Sequence, residues 1–82
     1  ASPVNDYQAQ KESQKEARKL MRQIENLEAE IETLESQSQA ISEQMLETND
    51  AEKLMGLQAE LDKINHRQEE AMLEWEELSE QV

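Results

Sequence analysis

The stretch Leu20-Met21-Arg22-Gln23-Ile24-Glu25-Asn26-Leu27-Glu28-Ala29-Glu30-Ile31-Glu32-Thr33-Leu34 carries its apolar residues at Leu20, Ile24, Leu27, Ile31 and Leu34, in alternating steps of four and three. A 3.5-residue period keeps one narrow face of an α-helix turned toward a partner helix, so this is a heptad seam. Downstream it continues through Ser38, Ile41 and Met45. After a short break it resumes at Leu54, Leu57, Leu61, Ile64, Gln68, Ala71, Trp75, Leu78 and Val82. Two stripes of this kind predict an all-α fold built from two coiled-coil helices.

The break falls at Glu47-Thr48-Asn49-Asp50. Asn49 with Glu52 three residues later has the form of a capping box, which predicts the start of a second helix there. The expected division is a linker at residues 1–5, a first helix at about 6–46 that begins near Asn5 or Asp6 after Pro3, a turn at 47–50, and a second helix at about 50–81. At about 1.5 Å per residue the helices would be roughly 60 Å and a little under 50 Å long. Gly56, inside the second, costs about 1 kcal/mol relative to Ala.

A short turn and the flank chemistry both favour pairing within the chain. With Ile24, Ile31, Leu54 and Leu61 at a positions, an antiparallel two-helix hairpin with a against d sets Ile41 opposite Leu54, Leu34 opposite Leu61, Ile31 opposite Ile64, Ile24 opposite Ala71, Leu20 opposite Trp75 and Ala17 opposite Leu78. The g edges then meet as Glu30 with Arg67, Gln44 with Lys53, Gln37 with Glu60 and Gln23 with Glu74. The e edges meet as Glu35 with Gln58, Glu28 with Asn65 and Met21 with Met72. A parallel dimer of the first helix would instead oppose Glu30 and Glu35, a repulsive pairing that selects against it. The expectation is therefore a monomeric hairpin, with the residues before about Ser13 overhanging as a helical arm. Ser38 and Gln68, polar in the seam, read as register control. Trp75 reads as a packing anchor near the open end, its N–H free to reach the rim; a stacking platform for a base is the alternative, and it requires the ring to leave the seam.

Composition narrows the function classes. The chain has 82 residues, one Gly, one Pro, no Cys and no Phe, with Tyr7 and Trp75 as its only aromatic residues. It can form one thin domain at most, not the thick core of an ordinary enzyme. Lack of Cys removes disulfides, thiolate metal sites and a cysteine nucleophile. No apolar run is long enough to span a membrane, and the start at Ala1 rather than Met suggests a piece of a longer protein. The net charge of −12 argues against general affinity for nucleic acid or an anionic membrane. The charge is uneven, however: five of eight basic residues lie between Lys11 and Arg22, whereas Gln23 to Glu52 holds nine acidic residues and no basic one.

A two-helix ribbon offers no concave, dry site, so no catalytic residue and no cofactor or metal site is assigned. His66, between Asp62 and Glu70 on an outward face, reads as a solvated surface group rather than a ligand. Two surface features carry functional readings. Lys11, Lys15, Arg18 and Arg22 fall at b and f positions and form a basic stripe turned away from the second helix. It is either an ordinary solvated face or a contact for phosphate or an acidic protein. Met21, Met72 and Leu73 place apolar surface beside Trp75, either widening the hairpin core or docking a neighbour.

As text, Tyr7 through Leu78 resembles the C-terminal coiled-coil domain that follows the second nucleotide-binding domain in many ABC-F ATPases. The resemblance rests on Tyr7 with the basic run Lys11-Glu12 to Arg22, the block Ile24-Glu25-Asn26-Leu27-Glu28-Ala29-Glu30-Ile31-Glu32, the inter-helix Asn49-Asp50, the restart Glu52-Lys53-Leu54 with Leu57-Gln58-Ala59-Glu60-Leu61, and the closing Glu74-Trp75-Glu76-Glu77-Leu78. It implies a non-catalytic appendage on preceding ATPase domains of the same chain, which would use ATP and Mg. It also implies a cytoplasmic, bacterial protein without membrane spans that acts on ribosomes or, in one branch, associates with DNA. The charge of −12 departs from the markedly basic domain of some members and leaves Lys11, Lys15, Arg18 and Arg22 as the part suited to nucleic acid.

Overall fold

A computed structural model describes the backbone of residues 3–82 and the side chains of residues 10–82. It contains two helices, α1 (Pro3–Glu47) and α2 (Ala51–Glu80), packed against each other along an antiparallel rod of 73 × 14 × 14 Å. The first helix begins at Pro3, before the expected start near Asn5 or Asp6. Proline suits the first helical position, where its missing N–H would have had no intrahelical partner and its φ is already helical. The first two residues of the expected linker lie outside the described region.

Burial follows the heptads. Among the described residues Leu27, Ile41 and Ala71 are the buried apolar ones, and Ala71 is fully enclosed at 0 % exposure. Leu20, Ile24, Ile31, Leu34, Ser38 and Met45 of α1 are half-buried, as are Leu54, Leu57, Leu61, Ile64, Gln68, Trp75 and Leu78 of α2. The stripe ends before Val82, which is 74 % exposed and does not extend the seam. No described side chain leaves a buried polar atom unpaired, because Ser38 and Gln68 are only half covered.

The turn is built by two residues that the sequence pattern did not single out. Thr48 donates from Oγ1 to the Gln44 carbonyl at 2.7 Å, and its backbone N–H reaches the Met45 carbonyl at 3.4 Å, so it satisfies acceptors that the end of α1 would otherwise leave open. At the start of α2 the N-cap is Asp50, not Asn49: its Oδ1 accepts from the Glu52 N–H at 3.0 Å. With the cap at Asp50, position N3 is Lys53, which has no acceptor to complete a capping box. The carboxylate adds what Asn49 could not, a full negative charge at the positive end of the helix.

The register also differs from the expected layering. Trp75 donates from Nε1 to Glu28 Oε1 at 3.0 Å, whereas Leu20, its expected partner, lies eight residues or about 12 Å further along the axis. Leu78 shares a groove with Gln23, Asn26 and Leu27 rather than facing Ala17, which is exposed. Gln81 and Val82 border a second groove with Ser13, Ala17, Leu20, Met21 and Gln23. Each displacement sets α2 further toward the turn than a strict a-to-d layering does. Asp50 is extended, with φ −84° and ψ 120°, so the chain keeps advancing after α1 ends before α2 begins. Glu28 consequently meets Trp75 and not Asn65, and Gln58 donates to Asp62 on its own helix at 2.9 Å. Glu30 and Arg67 still meet, since the long arginine spans the offset.

Candidate functional site

The end of the rod away from the turn holds the basic stripe. Heptad positions b and f point away from the seam, so Lys11, Lys15, Arg18 and Arg22 project outward from α1, and all four are exposed. A shallow depression runs between Gln10, Lys11, Gln14, Lys15 and Arg18. None of the four forms an ion pair with a described carboxylate. Every residue from Gln10 to Lys19 is exposed, Lys19 included, so this part of α1 stands without a covering helix. Lys19 was not part of the stripe as read from the sequence. It borders the groove at the end of α2, where a fifth cation adds to the same field.

The second candidate surface is not brought together as one patch. Met21, 53 % exposed, lies in the groove beside Gln81 and Val82, whereas Met72 and Leu73 sit further along α2 toward the turn. Trp75 is half-buried with its N–H committed to Glu28, so its ring stays in the seam and is not offered as a free stacking platform. Pairing the indole N–H is what permits a large aromatic side chain to occupy an interhelical position at little polar cost.

Around the middle of the rod the chemistry is that of a clasp. Arg67 donates from Nε to Glu30 Oε1 at 2.6 Å and from Nη2 to Glu30 Oε2 at 2.9 Å, a two-pronged bond across the helices. Its Nη1 also lies 3.4 Å from Glu70 and 3.7 Å from Glu74. The hydrogen bonds from Arg67, and secondarily its charge, hold the Glu30 carboxyl below the usual carboxylate range against the opposing effect of burial. Glu30 in turn holds the guanidinium above its ordinary range.

His66 is exposed and its Nε2 lies 2.9 Å from Glu70 Oε1, while Asp62 is engaged by Gln58, so Asp62, His66 and Glu70 do not converge. Among the described residues no group of three or more His, Asp or Glu side chains is arranged to hold a metal. The described hollows are open grooves along the rod, and no described helix is long and apolar enough to cross a membrane.

No curated protein and no solved structure shows significant similarity to the chain. Residues 11–80 match a family of C-terminal domains, distinct from the cassette that binds and hydrolyses ATP, and this span takes in the basic stripe, the seam of both helices and the turn. The chain therefore belongs to the ABC transporter C-terminal domain family, and forms the helical C-terminal module of an ABC protein rather than its catalytic part.

Proposed function

We propose that this hairpin is the interaction module of an ABC-F ATPase, projecting from the ATP-binding part of the same chain and contributing to action on the ribosome. The family match over residues 11–80 supports attachment to an ABC ATPase. The observation that carries the interaction reading is the basic stripe, without an ion pair to any described carboxylate, on an uncovered stretch of α1. A rod with a zipped seam is stiff along its length, so it positions its surfaces at a distance from whatever holds its base. ATP and Mg belong to the cassettes of the parent, and the setting is the bacterial cytoplasm. The hairpin itself is a monomer.

The test uses the parental protein with and without residues 11–80, and a version with Lys11, Lys15, Arg18 and Arg22 all changed to Glu. Co-sedimentation with ribosomes at graded salt is the measurement. Loss on removal of the hairpin is the expected outcome, and unchanged ribosome association without it defeats the proposal.

A second reading, direct binding of DNA or RNA through the same four residues, draws on their exposure and lack of described partners. It requires retention on bare nucleic acid that falls steeply with salt and disappears in the four-Glu variant. No retention of the unaltered protein even at low salt eliminates this second reading.

A further inference from the structure

We infer that the turn end of the rod is a docking tip for a protein surface in which an apolar recess is bordered by Lys or Arg. This rests on the reading of the hairpin as an interaction module and names the surface that the partner meets.

The b positions of both helices face outward and have no part in the seam. Among the residues whose side chains are described, they are Lys11, Arg18, Glu25, Glu32, Gln39 and Leu46 from the base to the turn on α1, and Met55, Asp62, Glu69 and Glu76 from the turn outward on α2. Every one is charged or Gln except the pair that flanks the turn. Leu46 is 88 % exposed and Met55 74 %, more than the Met21, Met72 or Leu73 side chains nearer the base. Equivalent heptad positions of two antiparallel helices fall on the same long edge, so Leu46 and Met55 share one side of the tip. Ala51, one turn before Met55, is exposed beside them. Isolated surface apolar residues are ordinary, but the two most exposed internal ones among the described residues, placed symmetrically about a turn, are not a scattered pair.

The surroundings select the partner. Glu43 lies one helical turn before Leu46 and Glu52 one turn before Met55, both exposed and neither in a described ion pair. Asp50 lies between them, and no basic residue occurs from Gln23 to Glu52. Phosphates of nucleic acid or an anionic membrane would be repelled here, which leaves a protein whose apolar site has a basic rim. Gly56 has open space at the position of a side chain and lines a groove with Gln44, Glu47, Thr48, Lys53, Leu57 and Glu60; these come from g, c and seam positions, so the groove lies on the opposite long edge from Leu46 and Met55.

The test places the photo-reactive residue p-benzoylphenylalanine singly at positions 46, 55, 36 and 15 of the full-length protein in its own cells. Ser36 is an exposed control on the rod and Lys15 reports the base. Circular dichroism of each purified protein checks that helicity is kept. Labels at 46 and 55 are expected to join to a protein about ten-fold more than the label at 36, on peptides with an apolar residue within a turn of Lys or Arg, and to lose that excess when Glu43→Lys and Glu52→Lys remove the rim charge. Tip labelling no higher than at Ser36, joining to RNA or to a second copy of this chain, or a joined site without basic residues overturns the proposal. If the label at 15 joins a partner while those at 46 and 55 do not, the interaction reading stands and the tip proposal alone falls; silence at all three removes both.

Discussion

Arg67 and Glu30, 37 residues apart in the chain, are joined by two hydrogen bonds of 2.6 and 2.9 Å, the one ion pair described between the helices. The carboxyl of Glu30 is held low, so the sign of its linkage to folding is determined. The contribution is present above the ordinary carboxylate range and is lost as pH falls through the lowered folded value. Arg67 stays charged throughout and adds no dependence in that window. Glu30→Gln is expected to lower the thermal midpoint at pH 7. Its difference from the unaltered protein should shrink as pH falls below the ordinary carboxylate range and vanish once pH is below the lowered folded value. Thermal melts of both proteins from pH 7 down to pH 2 measure this; a difference independent of pH would exclude the ion pair as its source.

Trp75 is the sole tryptophan and reports its own contact. Removing the acceptor with Glu28→Ala should leave the indole N–H to water and move its emission to longer wavelength, while Glu28→Gln, which retains an acceptor oxygen, should shift it less. Equal spectra for all three proteins would contradict the observed register.

Seam residues set the stability. Leu27→Asp or Ile31→Asp should cost roughly 3 to 5 kcal/mol by placing a charge between the helices. Ala71→Leu should also destabilise, by about 1 to 3 kcal/mol, because a fully enclosed alanine leaves no room for added methylenes. Urea titration followed by circular dichroism gives these values, and a neutral Ala71→Leu would mean that the helices part easily at that level.

The turn separates two neighbouring cap candidates. Asp50→Ala should cost about 1 kcal/mol and Asn49→Ala close to nothing. Gly56→Ala should stabilise α2 by up to about 1 kcal/mol, since the added methyl meets nothing within 4 Å. The same titrations compare all three.

The helices and their buried faces were legible in the sequence because burial in a coiled coil depends on period alone, and the half-buried set from Leu20 to Leu78 follows the heptads. The register was not, for the same reason. Sliding one apolar stripe along another keeps Leu and Ile facing Leu and Ile, and the choice among slides rests on the extended backbone at Asp50 and the Trp75 to Glu28 bond. Neither has a periodic signature. Asn49 and Asp50 are both competent caps, so residue type could not separate them. Thr48 was missed although its position four residues after Gln44 is the spacing at which a hydroxyl reaches back to a helical carbonyl. The basic stripe was visible because charge on an outward face needs no tertiary contact. The apolar cluster at Met21, Met72 and Leu73 depended on register and came apart with it.

Where α1 runs on past the end of α2, the rod changes from two strands of helix to one. Bending resistance drops sharply across that step, so a load applied at the base flexes the bare stem around Gln10 to Lys19 before it bends the doubled portion. Thirty paired residues make a lever of about 45 Å, and a tilt of about 10° in the stem swings the far end by roughly 8 Å. Rotation applied at the base would thus be taken up in the cationic stem, which serves as the joint, while the doubled portion beyond it moves as one stiff piece.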